Sequence, residues 1–306
     1  MTVTLKEIID EVLINLSGYT YQQDRSTYIT TPVTTIISPS TSPTILSLAS
    51  TDNVGKGIIE VGEELMWVDS FDRVANTATV APYGRGYLGT TASTAAADTK
   101  VTISPIFPRY VIKKAVNDTL QAIGSQLLAV KRTSFVYNAA VTTYELTGLN
   151  IENILTMTWQ LVGPSKDWLN IRRYTFDSFP NAATWGATTQ TVTIDDLITS
   201  GRTVNVVYTT RPSTLVNPND DFANVTGLSE SVKDVVVLGA VYRLLAYLDP
   251  ARASQISPQA DEIDAKRPFG SANTTSRQIY ALFQQRLREE IQAQQTQYPS
   301  RVHYTR

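Results

Sequence analysis

The sequence contains no cysteine. That removes disulfides, thiol nucleophiles, zinc–thiolate sites and iron–sulfur clusters in one step. It contains one histidine, His303. A histidine-based triad or a multi-histidine metal centre has no residues to be built from. Neither sign of charge is in excess: 26 Lys plus Arg stand against 28 Asp plus Glu, a formal net charge of −2. Such a balance gives no global basis for nucleic-acid binding, which draws on a basic face or a high pI. Long apolar runs are missing as well. The nearest approach, Val235 to Leu248, is interrupted by Arg243 and does not read as a membrane span. The first residues, Met1 to Glu7, lack the basic start and unbroken apolar stretch of a secretory signal. The reading is a soluble chain with no membrane partner, made in a cytoplasm.

What is present is a core. Hydrophobic residues make up 42% of the 306 positions, enough to exclude a wholly disordered chain and to fill two lobes. Periodicity divides the chain into alternating helical and strand-rich blocks. Leu5, Ile8, Ile9, Val12, Leu13 and Leu16 recur at helical spacing, with Thr4 and Glu7 placed as a capping box and Gly18 as a stop. Residues 27–105 are rich in Thr, Ser, Val and Ile and broken by Pro and Gly. Strands are predicted over Thr44–Leu48, Gly57–Val61, Glu64–Phe71, Thr77–Ala81 and Lys100–Ile103, with a hairpin at Asp72–Asn76. A second helix is predicted over Arg109–Leu128, entered through Pro108.

A second strand block follows over Phe135–Tyr137, Thr143–Leu146, Ile154–Leu161, Asp167–Arg172, Thr191–Ile194 and Thr203–Tyr208. Trp159, Trp168, Trp185, Tyr174 and Phe176 supply aromatic bulk for a separate core. Helices return at Val232–Leu248, capped by Ser229, and at Thr275–Thr296, where Ile279, Leu282, Phe283, Leu287 and Ile291 make the stripe. The expected fold is α+β: a discontinuous helical bundle with two inserted antiparallel β modules, each a small barrel or sandwich. The bundle draws on 1–26, 106–130 and 225–306, with 225–306 carrying a C-terminal tail. The first β module is 27–105 and the second 131–224.

Each chemical signal has a structural counterpart. Gly84-Arg85-Gly86-Tyr87-Leu88-Gly89 matches a dinucleotide fingerprint, but Thr90 to Thr94 make a poor helix and no βαβ pattern surrounds them. A tight turn in the β module is the expected role. The pairs Glu63-Glu64, Asp195-Asp196, Asp220-Asp221 and Glu289-Glu290 are adjacent in sequence. Neighbours in a strand point to opposite faces, so solvated surface charge is expected rather than acid/base catalysis. Asn217 to Asp221 offers oxygens for calcium without EF-hand spacing, and reads as a turn.

Five cations (Arg109, Lys113, Lys114, Lys131 and Arg132) stand against Asp118 in 109–132. Five more (Arg277, Arg286, Arg288, Arg301 and Arg306) stand against Glu289 and Glu290 in 277–306. These are solvated helix faces or phosphate-facing surfaces. The nearly all-apolar helix around Val235, Val236, Gly239 and Tyr242 is central core or a subunit interface. No catalytic residue, metal ligand or cofactor is assigned.

The stretch Gly62-Glu63-Glu64-Leu65-Met66-Trp67-Val68-Asp69-Ser70 leads through a hairpin to Thr79 to Ala92, including Arg85-Gly86-Tyr87-Leu88-Gly89-Thr90-Thr91-Ala92, and then to Asp98-Thr99-Lys100-Val101. It resembles a β module of tailed-phage virion proteins. In that module an E-x-hydrophobic-x-V strand precedes an R-G-x-x-G-T-x-A turn and a closing G-T-x-V strand. Here Ala96-Ala97 stands where histidine is often seen, and Asp98 where glycine is usual. The wider helix–strand layout resembles phage head–tail adaptor (connector, or neck) proteins.

The resemblance implies a structural virion protein and not an enzyme. It would assemble in the host cytoplasm into a homo-oligomeric ring, typically twelve-fold, under the portal protein. The ring would extend the DNA channel and dock a further neck or tail protein. The resemblance gives Tyr298, Arg301, Val302, His303, Tyr304 and Arg306 to portal docking, and leaves Val235, Val236, Gly239 and Tyr242 as subunit contacts. Lys113, Lys114, Arg286 and Arg288 become candidates for transient, non-specific contact with packaged DNA. The alternatives are another neck or tail protein (stopper, tail completion or baseplate), or a carbohydrate-binding module or carboxylate hydrolase using Trp159, Trp168 or Trp185.

Overall fold

Every strand pair among the described residues is antiparallel, and helices alternate with the strand blocks, so the fold is α+β. The computed structural model describes residues 2–17, 25–34, 40–161, 167–186, 189–246 and 271–298. Gly18, the last residues of the helix predicted to Leu248, and the tail residues Arg301, Val302, His303, Tyr304 and Arg306 lie outside the described residues. The chain divides into two compact units. One comprises Met1–Leu5, Asn117–Val236 and Ala281–Arg306; the other comprises Lys6–Val116 and Val237–Tyr280.

In the second of these units, β1 (Arg25–Tyr28), β2 (Thr44–Ser47), β3 (Gly57–Val61), β4 (Glu64–Asp72), β5 (Thr77–Val80) and β6 (Lys100–Ile103) form one sheet. Its order is β1-β6-β3-β4-β5-β2. The two outer strands then meet. Ile29 bridges Leu48, the Thr30 N–H donates to the Ser47 carbonyl at 2.9 Å, and the Ala49 N–H donates to that of Tyr28 at 2.8 Å. Leu46, Ile59, Met66, Val68, Val80 and Val101 are buried inside. Each such side chain contributes about 1.5–3 kcal/mol by leaving water. At the β4–β5 hairpin the Asp72 carboxylate accepts the N–H groups of Val74 and Ala75 at 2.8 and 3.1 Å, and Asn76 takes a left-handed φ of 52°. This is the predicted turn, built by an Asx device.

Helix α1 (Leu5–Leu16) buries Ile8, Ile9, Val12 and Leu16 on one stripe, while Ile14 points to solvent. Helix α2 (Arg109–Ile123) begins where the sequence predicts, after Pro108. Its first turn is capped from the sheet: the Glu60 carboxylate accepts the Arg109 N–H at 2.5 Å. A carboxylate at a helix N-terminus satisfies an orphan donor and the macrodipole together. The helix stops at Ile123, earlier than the expected Leu128. Gly124 follows, and the N–H groups of Gln126 and Leu127 both turn back to the Ile123 carbonyl. Leu127 is buried, but in this turn rather than on a helix stripe.

The other unit holds the second β module. The strands β7 (Ala129–Val136), β9 (Ile151–Gln160), β10 (Trp168–Asn170) and β13 (Thr203–Thr210) form a sheet in the order β10-β9-β13-β7. Strands β8 (Thr143–Glu145), β11 (Tyr174–Asp177) and β12 (Thr191–Ile194) form a second sheet in the order β11-β12-β8. Tyr137, Met157, Val192, Val204, Val206 and Tyr208 are buried in its core. Phe135 stacks on Tyr144 with ring centroids 4.5 Å apart, and the Tyr144 hydroxyl donates to the Asn138 carbonyl at 2.8 Å. Burial raises the pKa of Tyr144, Tyr174 and Tyr208. Of the aromatics expected in this core, Trp159, Tyr174 and Phe176 pack against it; Trp185 does not, and Trp168 is exposed because its short strand β10 turns it to the other side of the sheet from Met157 and Val204. Strand β7 starts well before the predicted Phe135, and β1 and β11 have no counterpart among the predicted strands.

Four shorter or later helices complete the described chain: α3 (Ala182–Trp185), α4 (Phe222–Thr226), α5 (Lys233–Ala246) and α6 (Ser271–Gln297). Asp221 caps α4 by accepting the Asn224 N–H at 2.8 Å. The chain on either side is tied to the N-terminal segment by Leu5 N–H to Asp220 O (3.0 Å) and Phe222 N–H to Val3 O (2.8 Å).

Two glycines with left-handed φ separate strain from crowding. Gly201 (φ 84°) has open space where a methyl group would be added, whereas at Gly227 (φ 74°) a Cβ would lie 2.9 Å from the Ala129 Cβ. Gly201→Ala should cost roughly 1–2 kcal/mol, the left-handed penalty alone. Gly227→Ala should cost distinctly more, because the Ala129 side of β7 must also shift. Paired denaturant unfolding of the two variants checks the order.

Candidate functional site

The residues that carry the motif are held by one buried ion pair. Glu64, at the start of β4, and Arg85, in the turn after β5, have side chains 0% and 2% exposed. They meet as a fork: Arg85 Nε to Glu64 Oε1 at 2.6 Å and Nη2 to Oε2 at 2.8 Å. The same carboxylate accepts the Gly86 N–H (3.0 Å) and the Ser93 N–H (2.9 Å), and Arg85 Nη2 also donates to the Ser93 carbonyl (2.7 Å). Thr90 completes the frame. Its hydroxyl donates to the Tyr87 carbonyl at 3.0 Å and accepts the Leu65 N–H at 3.1 Å. The glutamate, arginine and threonine of the motif thus each have a bonding task, and Glu64 is not the solvated surface charge expected from the sequence. The signal that distinguishes it is a glutamate at the head of an apolar strand, followed by an Arg-Gly turn.

The glycines of Gly84-Arg85-Gly86-Tyr87-Leu88-Gly89 answer to this turn. At Gly84 a Cβ would lie 2.8 Å from the Ala81 carbonyl oxygen and 2.9 Å from that of Trp67. Gly86 has a φ of 64°, and only a single 3-10 turn, Tyr87–Gly89, follows, with Leu88 itself left-handed. A pyrophosphate site needs a helix N-terminus directly after the glycines, so the tight-turn reading fits the geometry.

Of the sequence-adjacent carboxylates, Glu289 and Glu290 share one partner, Arg286, while Glu63 and Glu64, and likewise Asp220 and Asp221, have separate tasks. Glu63 pairs with Lys113 at 3.1 Å while Glu64 points the other way into Arg85. Asp196 accepts the N–H groups of Arg172 and Arg173. Asp220 accepts those of Val216 and Asn217, while Asp221 caps α4. The calcium-like segment is therefore a turn and a cap. Among the described residues no three His, Asp or Glu side chains are grouped to hold a metal ion. A hollow of about 280 Å³ is lined by Leu127, Val232, Gln294 and Tyr298 and by one carboxylate, Glu290. That carboxylate already accepts from Ser231 at 2.7 Å and Arg286 at 3.1 Å. It offers no convergent pair for acid/base work.

The four candidate DNA-facing cations divide into two kinds. Lys114 and Arg288 are exposed. Lys113 is tied to Glu63, and Arg286 contacts Glu289 (2.5 Å), Glu290 (3.1 Å) and Asp234 (4.0 Å). The hydrogen bond with Glu289 raises the Arg286 pKa, and the reciprocal bond lowers that of Glu289. A guanidinium surrounded by three carboxylates presents little field to a phosphate. Of the candidate interface residues, Val235, Val236 and Gly239 are enclosed within the chain itself, as core packing requires. Tyr242 is half-buried, edge-on to Tyr280 at 5.1 Å. Tyr298 is half-buried beside the hollow.

No protein-family model and no curated protein matches the chain. Among the described residues no helix is long and apolar enough to cross a membrane.

Removing one member of the Glu64–Arg85 pair leaves the other charged and buried, so Arg85→Met or Glu64→Leu alone should cost about 3–5 kcal/mol. The double variant should recover much of that loss. A double-mutant cycle by urea unfolding measures the coupling, and additive single losses would show that the pair does not act as a unit. At the exposed α6 network the sign runs the other way from a histidine switch. Because Arg286 lowers the Glu289 pKa from 4.5, its contribution is present above pH 4.5 and fades as pH falls through the lowered value. Carboxyl NMR titration should place Glu289 below an ordinary glutamate, and Arg286→Gln should raise it toward the ordinary value, the Gln285 hydrogen bond retaining the remainder.

Proposed function

We propose that the chain is a structural adaptor of a tailed-phage virion, a neck protein that forms a ring under the portal and docks the next neck or tail component. The observation that carries this reading is the Glu64–Arg85 fork. The glutamate, arginine, glycine and threonine through which residues 62–101 resemble the virion β module are the residues bonded within the turn. A match on residues that build a module weighs more than a match on surface positions. In this reading the segments 1–26, 106–130 and 225–306 supply a discontinuous helical bundle. Residues 27–105 and 131–224 are inserted modules, the first a small barrel.

Tyr298 and the residues after it dock on the portal. Exposed Lys114 and Arg288 are the better candidates for passing DNA, since Lys113 and Arg286 are engaged by carboxylates. Carboxylates of the described residues are engaged as caps, turns and ion-pair partners, which favours this structural role over a hydrolase.

The test is the mass and rotational symmetry of the particle formed when the purified protein meets the portal of the same virion. The expected result is a portal-bound ring with the rotational symmetry of the portal. Truncation after Ser300 should then abolish portal binding while the remaining fold keeps its circular dichroism. A competent portal that recruits none of the protein would overturn the adaptor role and favour a stopper or baseplate position.

A further inference from the structure

The outward face of the β10-β9-β13-β7 sheet carries side chains that neither packing nor charge accounts for. Its register pairs Asn170 with Thr158, Thr158 with Asn205, and Asn205 with Ser134. These four neutral hydrogen-bonding side chains form one row across all four strands. Two residues along, and so on the same face, Trp168 pairs with Gln160, and at the β7 end Val136 pairs with Thr203 and is 63% exposed. The opposite face holds Met157, Val204 and Val206, all buried in the module core.

Three features define the outward face. Trp168 is 45% exposed, whereas Trp67, Trp159 and Trp185 are each partly covered. Among the described residues none of Asn170, Thr158, Asn205, Ser134 and Gln160 spends its side chain on a hydrogen bond within the chain. Elsewhere in the module Thr143 bonds Thr193, and Gln190 bonds the backbone of Ile151 through both its amide oxygen and its amide nitrogen. Within the four strands, the only charge on this face next to the row is Arg132, on the outer strand.

These features select a ligand class. Nucleic acid and other polyanions need several Lys or Arg side chains, and one is present. The centre of a protein interface is enriched in aromatic and apolar residues and depleted in Ser, whereas here the row that crosses all four strands is Asn, Thr, Asn, Ser and the exposed apolar groups, Trp168 and Val136, stand at the two outer strands. A carbohydrate offers what complements this face: hydroxyls that donate and accept, and a flat C–H surface. Amide and hydroxyl side chains read the former because they too both donate and accept. An indole reads the latter with its apolar ring body. Four strands span roughly 14 Å at about 4.8 Å per strand, which suits a short chain of sugars laid on an open platform. We infer that this face binds a neutral oligosaccharide, with Trp168 stacking on one sugar ring and the Asn170–Thr158–Asn205–Ser134 row hydrogen-bonding its neighbours. The inference stands apart from the adaptor reading.

The full chain is titrated with cellohexaose, maltohexaose, xylohexaose and hexa-N-acetylchitohexaose, followed by calorimetry and tryptophan fluorescence. The expected result is saturable binding of at least one of the four with a change in indole emission. Trp168→Ala and Asn205→Ala should each weaken it at least tenfold, and Trp185→Phe should leave it unchanged. Both substituted positions are outside the core, and circular dichroism verifies the fold; if one variant fails to fold, the other carries the comparison. Absence of saturable binding to all four sugars at millimolar concentration overturns the inference. So does wild-type affinity in both variants, or a change in oligomer mass in their place, which would assign the face to a protein contact.

Discussion

The Glu64–Arg85 fork is the constraint on which the first β module depends. Taking two ions out of water costs several kcal/mol each, and the attraction offsets this only when both are well hydrogen-bonded. Here the carboxylate has the guanidinium on both oxygens and the Gly86 and Ser93 amides besides. What such an arrangement supplies is definition. The β3–β4 ladder pairs Val61 with Glu64 and Ile59 with Met66. A slip of one residue would send Glu64 to the opposite face and leave Arg85 buried without it. The same register puts Glu60 at the first turn of α2 and Glu63 beside Lys113. Three carboxylates within five residues are thereby given three directions, and the position of α2 on its own sheet follows from the register that the fork fixes.

The burial pattern of β4 shows the other side of this arrangement. Glu64, Leu65, Met66 and Val68 are all buried, so the strand does not alternate. One face looks into the sheet interior. The other is covered by the turn that Arg85 holds down, where Trp67 lies 5.4 Å from Tyr87 and Thr90 takes the Leu65 N–H. A turn pressed against a strand needs close backbone approach, which explains Gly84. It also accommodates left-handed Tyr83 and Leu88, whose side chains project to solvent. Bulky residues in that region are strained, and the fork over-determines the loop enough to keep them there.

Periodicity made the long elements legible. The α1 stripe, β3, β6 and β12 stand where alternation or helical spacing puts them, because their burial is one-sided or their turns are sharply marked. Strand β1 was illegible since Arg25-Ser26-Thr27-Tyr28 buries only Thr27; it is a strand because β6 pairs with it. The beginning of β7 was hidden by Lys131 and Arg132, whose charges read as a helix face and instead lie along a sheet edge. The end of α2 was misplaced because Leu127 keeps helical spacing while serving a turn. At the candidate site the glycines and the Arg-Gly turn were legible as a turn. The partnership of Glu64 with Arg85 was not, for it joins residues 21 apart and a lone strand glutamate reads as solvated.

The two β modules solve the edge problem differently, and the difference bears on what each presents. The six-stranded sheet removes its edges by bringing β1 and β2 together at Ile29 and Leu48. The four-stranded sheet keeps β7 and β10 as outer strands. An exposed edge invites pairing with another chain unless it is short or charged. Strand β10 has three residues, and β7 carries Lys131 and Arg132. Both edges are therefore protected, β10 by its length and β7 by its charges, and of these devices only Arg132 reaches the face that carries the Asn–Thr–Asn–Ser row. That face can then stay almost free of charge without making the module adhesive, because exposed amides and hydroxyls hydrogen-bond to water until something displaces it. Displacing that water is favourable only for a ligand that returns the hydrogen bonds, so the same chemistry that keeps the surface soluble also makes it selective.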